Sequence, residues 1–81
     1  MILSLRLYPP LKFDDGDEFR QVEVEPGTKA DALLDRLEGE GVFRSYGRQY
    51  LLVLTADRII RDDYPLEAGQ FVKIILSPDG G

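Results

Sequence analysis

The first residues alternate between apolar and polar. Leu3, Leu5 and Leu7 fall on one side of an extended chain, and Ser4 and Arg6 on the other. A period of two marks a strand buried on one face. Tyr8-Pro9-Pro10 ends it, because proline cannot donate to a sheet ladder. Asp14-Asp15-Gly16-Asp17 is a turn sequence, built from residues that form Asx-turns or accept positive φ. Alternation resumes from Arg20 to Glu25, with Val22 and Val24 inward and Gln21, Glu23 and Glu25 outward. Two alternating runs joined by such a loop predict an opening β-hairpin.

The period then changes. Ala30, Leu33, Leu34 and Leu37 stand at i, i+3, i+4 and i+7, which places one apolar stripe on a helix. Asp31, Asp35, Arg36 and Glu38 take its wet side. Pro26-Gly27 precedes it as the end of the hairpin, and Thr28 is the predicted N-cap, with Asp31 three residues on as a weak capping box suited to the helix dipole. Gly39 and Gly41 stop the helix. Val42 to Arg48 has room for a short helical turn, and Phe43, Tyr46 and Tyr50 read as core or edge packing rather than a stacking platform. Tyr50 to Leu54 is apolar on both faces, as expected of a central strand. A turn at Ala56-Asp57-Arg58, a short strand at Ile59-Ile60, and a second turn from Tyr64-Pro65-Leu66 to Gly69 follow. Phe71 to Leu76 is a final strand broken only by Lys73.

Strand, strand, helix, strand, short strand, strand is an α+β order with no internal repeat or linker. A helix that follows a hairpin buries its stripe on the sheet, and it permits a crossover to a strand parallel to the first. The predicted fold is a β-grasp, a mixed sheet of four to five strands packed on one main helix. It is expected to span residues 1–76, with 77–81 as a flexible C-terminal tail.

Composition narrows the function. Eighty-one residues suffice for one domain. There is no cysteine and no histidine, which removes disulfides, thiolate chemistry, the commonest metal ligand and the usual general base. A stand-alone enzyme is disfavoured, since no constellation of side chains converges. The net charge of −5 argues against nucleic acid, whose phosphates need a basic face, and suggests a basic protein partner. Met1 to Leu7 is interrupted by Ser4 and Arg6, so it reads as a strand rather than a signal peptide, and no run approaches a membrane span. A soluble, cytoplasmic protein is expected. Asp14, Asp15, Asp17 and Glu18 lack a full cation-ligand spacing and read as a solvated loop, and Asp62-Asp63 reads as a turn. No metal or cofactor is expected on this chain.

The chain finishes Ile75-Leu76-Ser77-Pro78-Asp79-Gly80-Gly81. With the order above, this resembles the MoaD/ThiS family of ubiquitin-like sulfur carriers over essentially its whole length. Val24-Glu25-Pro26-Gly27-Thr28 followed by Ala32-Leu33-Leu34 looks like the family's entry from strand to helix. Pro65-Leu66-Glu67-Ala68-Gly69-Gln70-Phe71-Val72 looks like its approach to the last strand. The length is closest to the small subunit of molybdopterin synthase, MoaD. Family members commonly carry two prolines and an aliphatic residue before the glycines, where this chain has Leu76-Ser77-Pro78-Asp79. They often carry Asn-Gly after the central strand, where this chain has Ala56-Asp57.

The resemblance implies a non-catalytic carrier. An adenylating enzyme of the MoeB/ThiF type would use ATP to activate the Gly81 carboxylate, and sulfide or persulfide would displace AMP to leave a thiocarboxylate. Gly80 would keep the tail narrow, since glycine has no Cβ and lets a backbone approach closely. A MoaE-like synthase large subunit would then take the sulfur for the molybdenum cofactor. Sulfur donation to thiamine, tRNA or cysteine synthesis, conjugation to lysines, and a plain β-grasp interaction domain with an inert tail remain open. If Val72 and Ile74 face the helix, Leu52, Leu54 and Ile75 face the open side of the sheet. Exposed aliphatic residues on one face mark an interface, and family members dock their partners there. A register shift of one would bury Ile75 and expose Ile74. Ser77, Pro78 and Asp79 would be the tail residues that enter the partners. Lys73 would either meet a partner's acid or keep the strand soluble.

Overall fold

The structure is a computed structural model and describes residues 1–44 and 46–77. β1 (Ile2–Leu7) buries Leu3, Leu5 and Leu7 completely, as its alternation requires. β2 (Phe19–Glu23) pairs antiparallel with it, Ile2 opposite Glu23 and Arg6 opposite Phe19. The loop between them holds Leu11 and Phe13 in the core.

α1 (Ala30–Gly39) buries Ala30, Leu33, Leu34 and Leu37, and each leucine contributes roughly 1.5–3 kcal/mol by leaving water. Its start differs from expectation. The N-cap is Lys29, with no side-chain cap, and the Thr28 hydroxyl donates instead to the Glu25 carbonyl at 2.7 Å. The first amides of the helix are met from across the fold, Ala30 N–H donating to the Tyr64 carbonyl and Asp31 N–H to that of Asp62. The helix ends in a Schellman motif. Gly41 N–H donates to the Glu38 carbonyl and Val42 N–H to that of Leu37, with Gly41 at φ +79, where glycine carries no steric penalty. Val42 and Phe43 then turn into the core.

A single 3₁₀ turn (Arg48–Tyr50) leads into β3 (Leu51–Thr55). Arg48 ties this turn to α1 through the Asp35 carboxylate and the Asp31 carbonyl, and its bond to Asp35 raises the guanidinium pKa above its ordinary value. β4 is only Arg58–Ile59, and β5 is Phe71–Leu76. The sheet order is β2-β1-β5-β3-β4, with β5 parallel to β1 and antiparallel to β3. The middle strand is therefore β5. β3, expected at the centre, is flanked on its far side by the two residues of β4 alone. This is a β-grasp: one mixed five-stranded sheet, with α1 against one face.

The two-residue β3–β4 turn places Ala56 at φ 52 and Asp57 at φ 62, both left-handed, as a type I′ hairpin demands. Aspartate tolerates this region and alanine does not. Ala56→Asn is expected to stabilise the protein by about 0.5–1 kcal/mol, measured as a higher urea midpoint at unchanged slope.

Candidate functional site: the end of β5 and the open face of the sheet

Alternation along β5 sends Val72 and Ile74 to the helix side, where both are fully buried. Phe71, Lys73 and Ile75 point to the opposite face, which no helix among the described residues covers. Leu51 and Val53 of β3 likewise face the core, while Leu52 and Leu54 are half-buried on the open side. The register aligns these residues in rows. Ile75 stands opposite Leu52, and Lys73 is flanked by Leu54 and Arg6. Leu54 faces Ile59, and Arg6 faces Phe19. The sequence-predicted residues Leu52, Leu54 and Ile75 are thus brought together on one surface, and the alternative register with Ile75 buried is not the one adopted.

Several members of this face were not singled out from the sequence. Phe19 and Phe71 pack as a tilted pair, ring centroids 6.0 Å apart. Arg6 lies over the Tyr8 ring at 5.7 Å. Ile59 is 64% exposed. The same period of two that placed Ile75 outward also places Phe71 outward. Phe19 was missed because β2 begins one residue before the expected Arg20. Around β5 and β3 the face is therefore apolar with two cations, Arg6 and Lys73, although the chain is acidic overall, while Ser4, Gln21 and Glu23 make its β2 side polar. Lys73 Nζ donates to Asp57 Oδ1 at 3.1 Å, so its nearest acid belongs to the adjacent hairpin turn.

At its C-terminal end β5 leaves the sheet beside this surface. Ser77 N–H donates to the Tyr50 carbonyl at 2.6 Å, and Ser77 is buried. Expected in the partner-facing tail, it instead belongs to the folded body, because the ladder to the start of β3 runs one bond past Leu76. Pro78, Asp79, Gly80 and Gly81 lie outside the described residues. Among the described residues no group of three acids could hold a metal ion, and no helix is long and apolar enough to cross a membrane. In the acidic loop, the Asp17 N–H bonded to its carboxylate, followed by Arg20, holds the Asp15 carboxyl below its ordinary pKa. That arrangement closes a turn internally.

No family model matches the chain, and no curated protein matches it in sequence. Solved structures do match in shape. SAMP1 from Haloferax volcanii superposes with a TM-score of 0.77 at 17% identity, covering 100% of both chains. A Pyrococcus furiosus protein assigned as molybdopterin converting factor subunit 1 gives 0.78 at 14% identity, covering 95% of this chain and 98% of its own. The chain has the ubiquitin-like β-grasp fold. A third match comes from the complex of subunits 1 and 2 of molybdopterin-converting factor from Helicobacter pylori, with a TM-score of 0.72, 17% identity and complete coverage of both chains. The likeness to these structures is one of fold.

Proposed function

We propose that this protein is a sulfur carrier of the MoaD/ThiS type, activated at Gly81. The observation that carries this reading is the continuity between an uncovered apolar face and the end of β5. Ile75 and Leu52 stand opposite each other just before Ser77 is anchored to Tyr50. An enzyme that grips this face holds the start of the last four residues at a fixed point. Four residues reach at most roughly 13–14 Å when extended, so the docking site would set the position of the terminal carboxylate.

The chemistry needs nothing from this chain but that carboxylate. A carboxylate is a poor acyl donor, because oxide is a bad leaving group. Attack of the Gly81 carboxylate on the α-phosphorus of ATP forms an acyl-adenylate and releases pyrophosphate. A sulfide or persulfide sulfur then displaces AMP to give the thiocarboxylate, with a reductant cleaving the S–S bond when persulfide is the donor. The absence of cysteine and histidine accords with a substrate-like carrier whose catalytic groups lie on its partners.

The likeness to molybdopterin converting factor subunit 1, and to a structure in which that subunit is complexed with subunit 2, favours sulfur donation to molybdopterin with a MoaE-like large subunit. The likeness to a small archaeal modifier protein favours a second reading, conjugation of the same activated terminus to lysine. The deciding measurement is intact mass after incubation with ATP, a sulfur donor and a MoeB-like adenylating enzyme from the same source. A gain equal to one oxygen replaced by one sulfur, mapped to Gly81, is the expected result. An unchanged mass, with an enzyme that modifies a known carrier, removes the carrier reading and leaves an interaction domain.

A further inference from the structure

The hydrogen bonds that join β2 to β1 decide which of its backbone groups are free. Val24 N–H donates to the Met1 carbonyl, the Met1 amino group donates back to the Val24 carbonyl at 2.6 Å, and Leu7 N–H donates to the Glu18 carbonyl. In an antiparallel pair such bonded positions recur every second residue. With the observed register, Arg20 and Val22 therefore face β1 through their backbones, and Phe19, Gln21 and Glu23 direct theirs outward. β2 is the edge of the sheet. The Glu23 carbonyl is occupied by Arg36, whose Nη1 donates to it at 2.6 Å. The N–H and C=O groups of Phe19 and Gln21 have no partner among the described residues.

The charge around this edge is mainly acidic, Arg36 being the cation that α1 brings to it. Residues 14–25 carry six carboxylates, on Asp14, Asp15, Asp17, Glu18, Glu23 and Glu25, against the single guanidinium of Arg20. Their net charge of −5 equals that of the whole chain. Arg20 is itself committed to Asp15, at 2.6 Å, and stacks on Phe13. Two copies paired through this edge would set like charges against each other, which destabilises a strand pair. An extended segment rich in lysine and arginine would meet both free backbone groups and opposite charge.

We propose that the outer edge of β2 is a docking site for a basic, extended segment of a partner protein, added as a sixth strand beside Phe19–Glu23. Main-chain bonds to Phe19 and Gln21 supply the affinity, as in strand addition generally, and the acids at both ends of β2 select for cationic side chains. This site meets the open face at Phe19 but uses the backbone edge of β2 rather than the Leu52, Leu54 and Ile75 surface. It does not depend on the sulfur chemistry, so the mass assay and the test below succeed or fail independently.

The test titrates the ¹⁵N-labelled full chain at low salt with the blocked peptide acetyl-Lys-Val-Lys-Val-Lys-Val-Lys-amide. The expected result is slowed hydrogen exchange and shifted resonances at the Phe19 and Gln21 amides, with affinity falling as salt is raised. Gln21→Pro removes an outward N–H without breaking a β1–β2 bond, because proline is tolerated where an edge amide faces solvent. It is expected to weaken binding at least tenfold while the remaining spectrum is preserved. The double variant E23Q/E25Q, which leaves the backbone untouched, is expected to weaken it severalfold. No perturbation at millimolar peptide would overturn the proposal, as would shifts confined to Leu52, Leu54 and Ile75. Equal binding of a peptide with glutamate in place of lysine would do the same, and the acids would then serve only to guard an edge.

Discussion

A chain lacking Gly81 is expected to show no sulfur gain with ATP, a sulfur donor and the adenylating enzyme, with the rate reduced more than about 100-fold. Removing one residue withdraws the terminal carboxylate by roughly 3.5 Å along an extended chain. In-line attack on phosphorus tolerates far less, since a misplacement of about 1 Å already costs some 100-fold. The folded body should not register the change. The last described anchor is Ser77 on the Tyr50 carbonyl, four residues earlier, so the urea midpoint is expected to match that of the parent. Affinity for the adenylating enzyme should also persist, because the apolar face is unaltered. A truncated chain that still gained sulfur at its end would show that the enzyme reads length loosely. Loss of docking together with loss of sulfur would place the recognition in the tail rather than on the sheet.

Much of this fold was legible because its elements carry clean periods. The helix stripe of Ala30, Leu33, Leu34 and Leu37 is buried as a set, and β5 has the bounds that its apolar run gave. Legibility fails where a residue's environment is fixed by a distant segment. Thr28 reads as an N-cap locally, yet the helix amides are met by carbonyls of Asp62 and Tyr64, more than thirty residues away. Leu11, Phe13 and Leu66 are core residues in loops, where no period announces them. β3 looked central because both its faces are apolar. Its outward face is apolar for another reason: with Ile75 and Phe71 it forms the uncovered surface. The acidic composition was equally misleading about that surface, since Arg6 and Lys73 stand among its exposed aliphatic residues, while six of the fifteen carboxylates fall in residues 14–25 around β2. Of the candidate site, sequence alternation located the aliphatic centre and missed its aromatic flank.

Ile74 and Ile75 are chemically identical neighbours on opposite faces of the middle strand, and their alanine variants should separate stability from docking. Ile74 is fully buried, so Ile74→Ala is expected to cost about 2–5 kcal/mol through lost transfer energy and the cavity left behind. A domain of this size has a total stability of roughly 4–12 kcal/mol, and the urea midpoint should therefore collapse toward zero or fall by a large fraction. Ile75 is half-buried and stands opposite Leu52 on the open face. Its truncation leaves no closed cavity, and Ile75→Ala should cost about 1 kcal/mol or less. If the adenylating enzyme grips this face, the same variant weakens docking by at least about 2 kcal/mol, some 30-fold, as truncation of a central apolar anchor does. The substrate concentration for half-maximal thiocarboxylation would rise accordingly, with the maximal rate little changed. Equal destabilisation by the two variants would mean that the open face is covered in solution, by a second copy or by the tail. A stable Ile75→Ala protein with unaltered docking would move the partner surface away from β5, and Phe19 with Phe71 would become the next aromatic anchor to truncate.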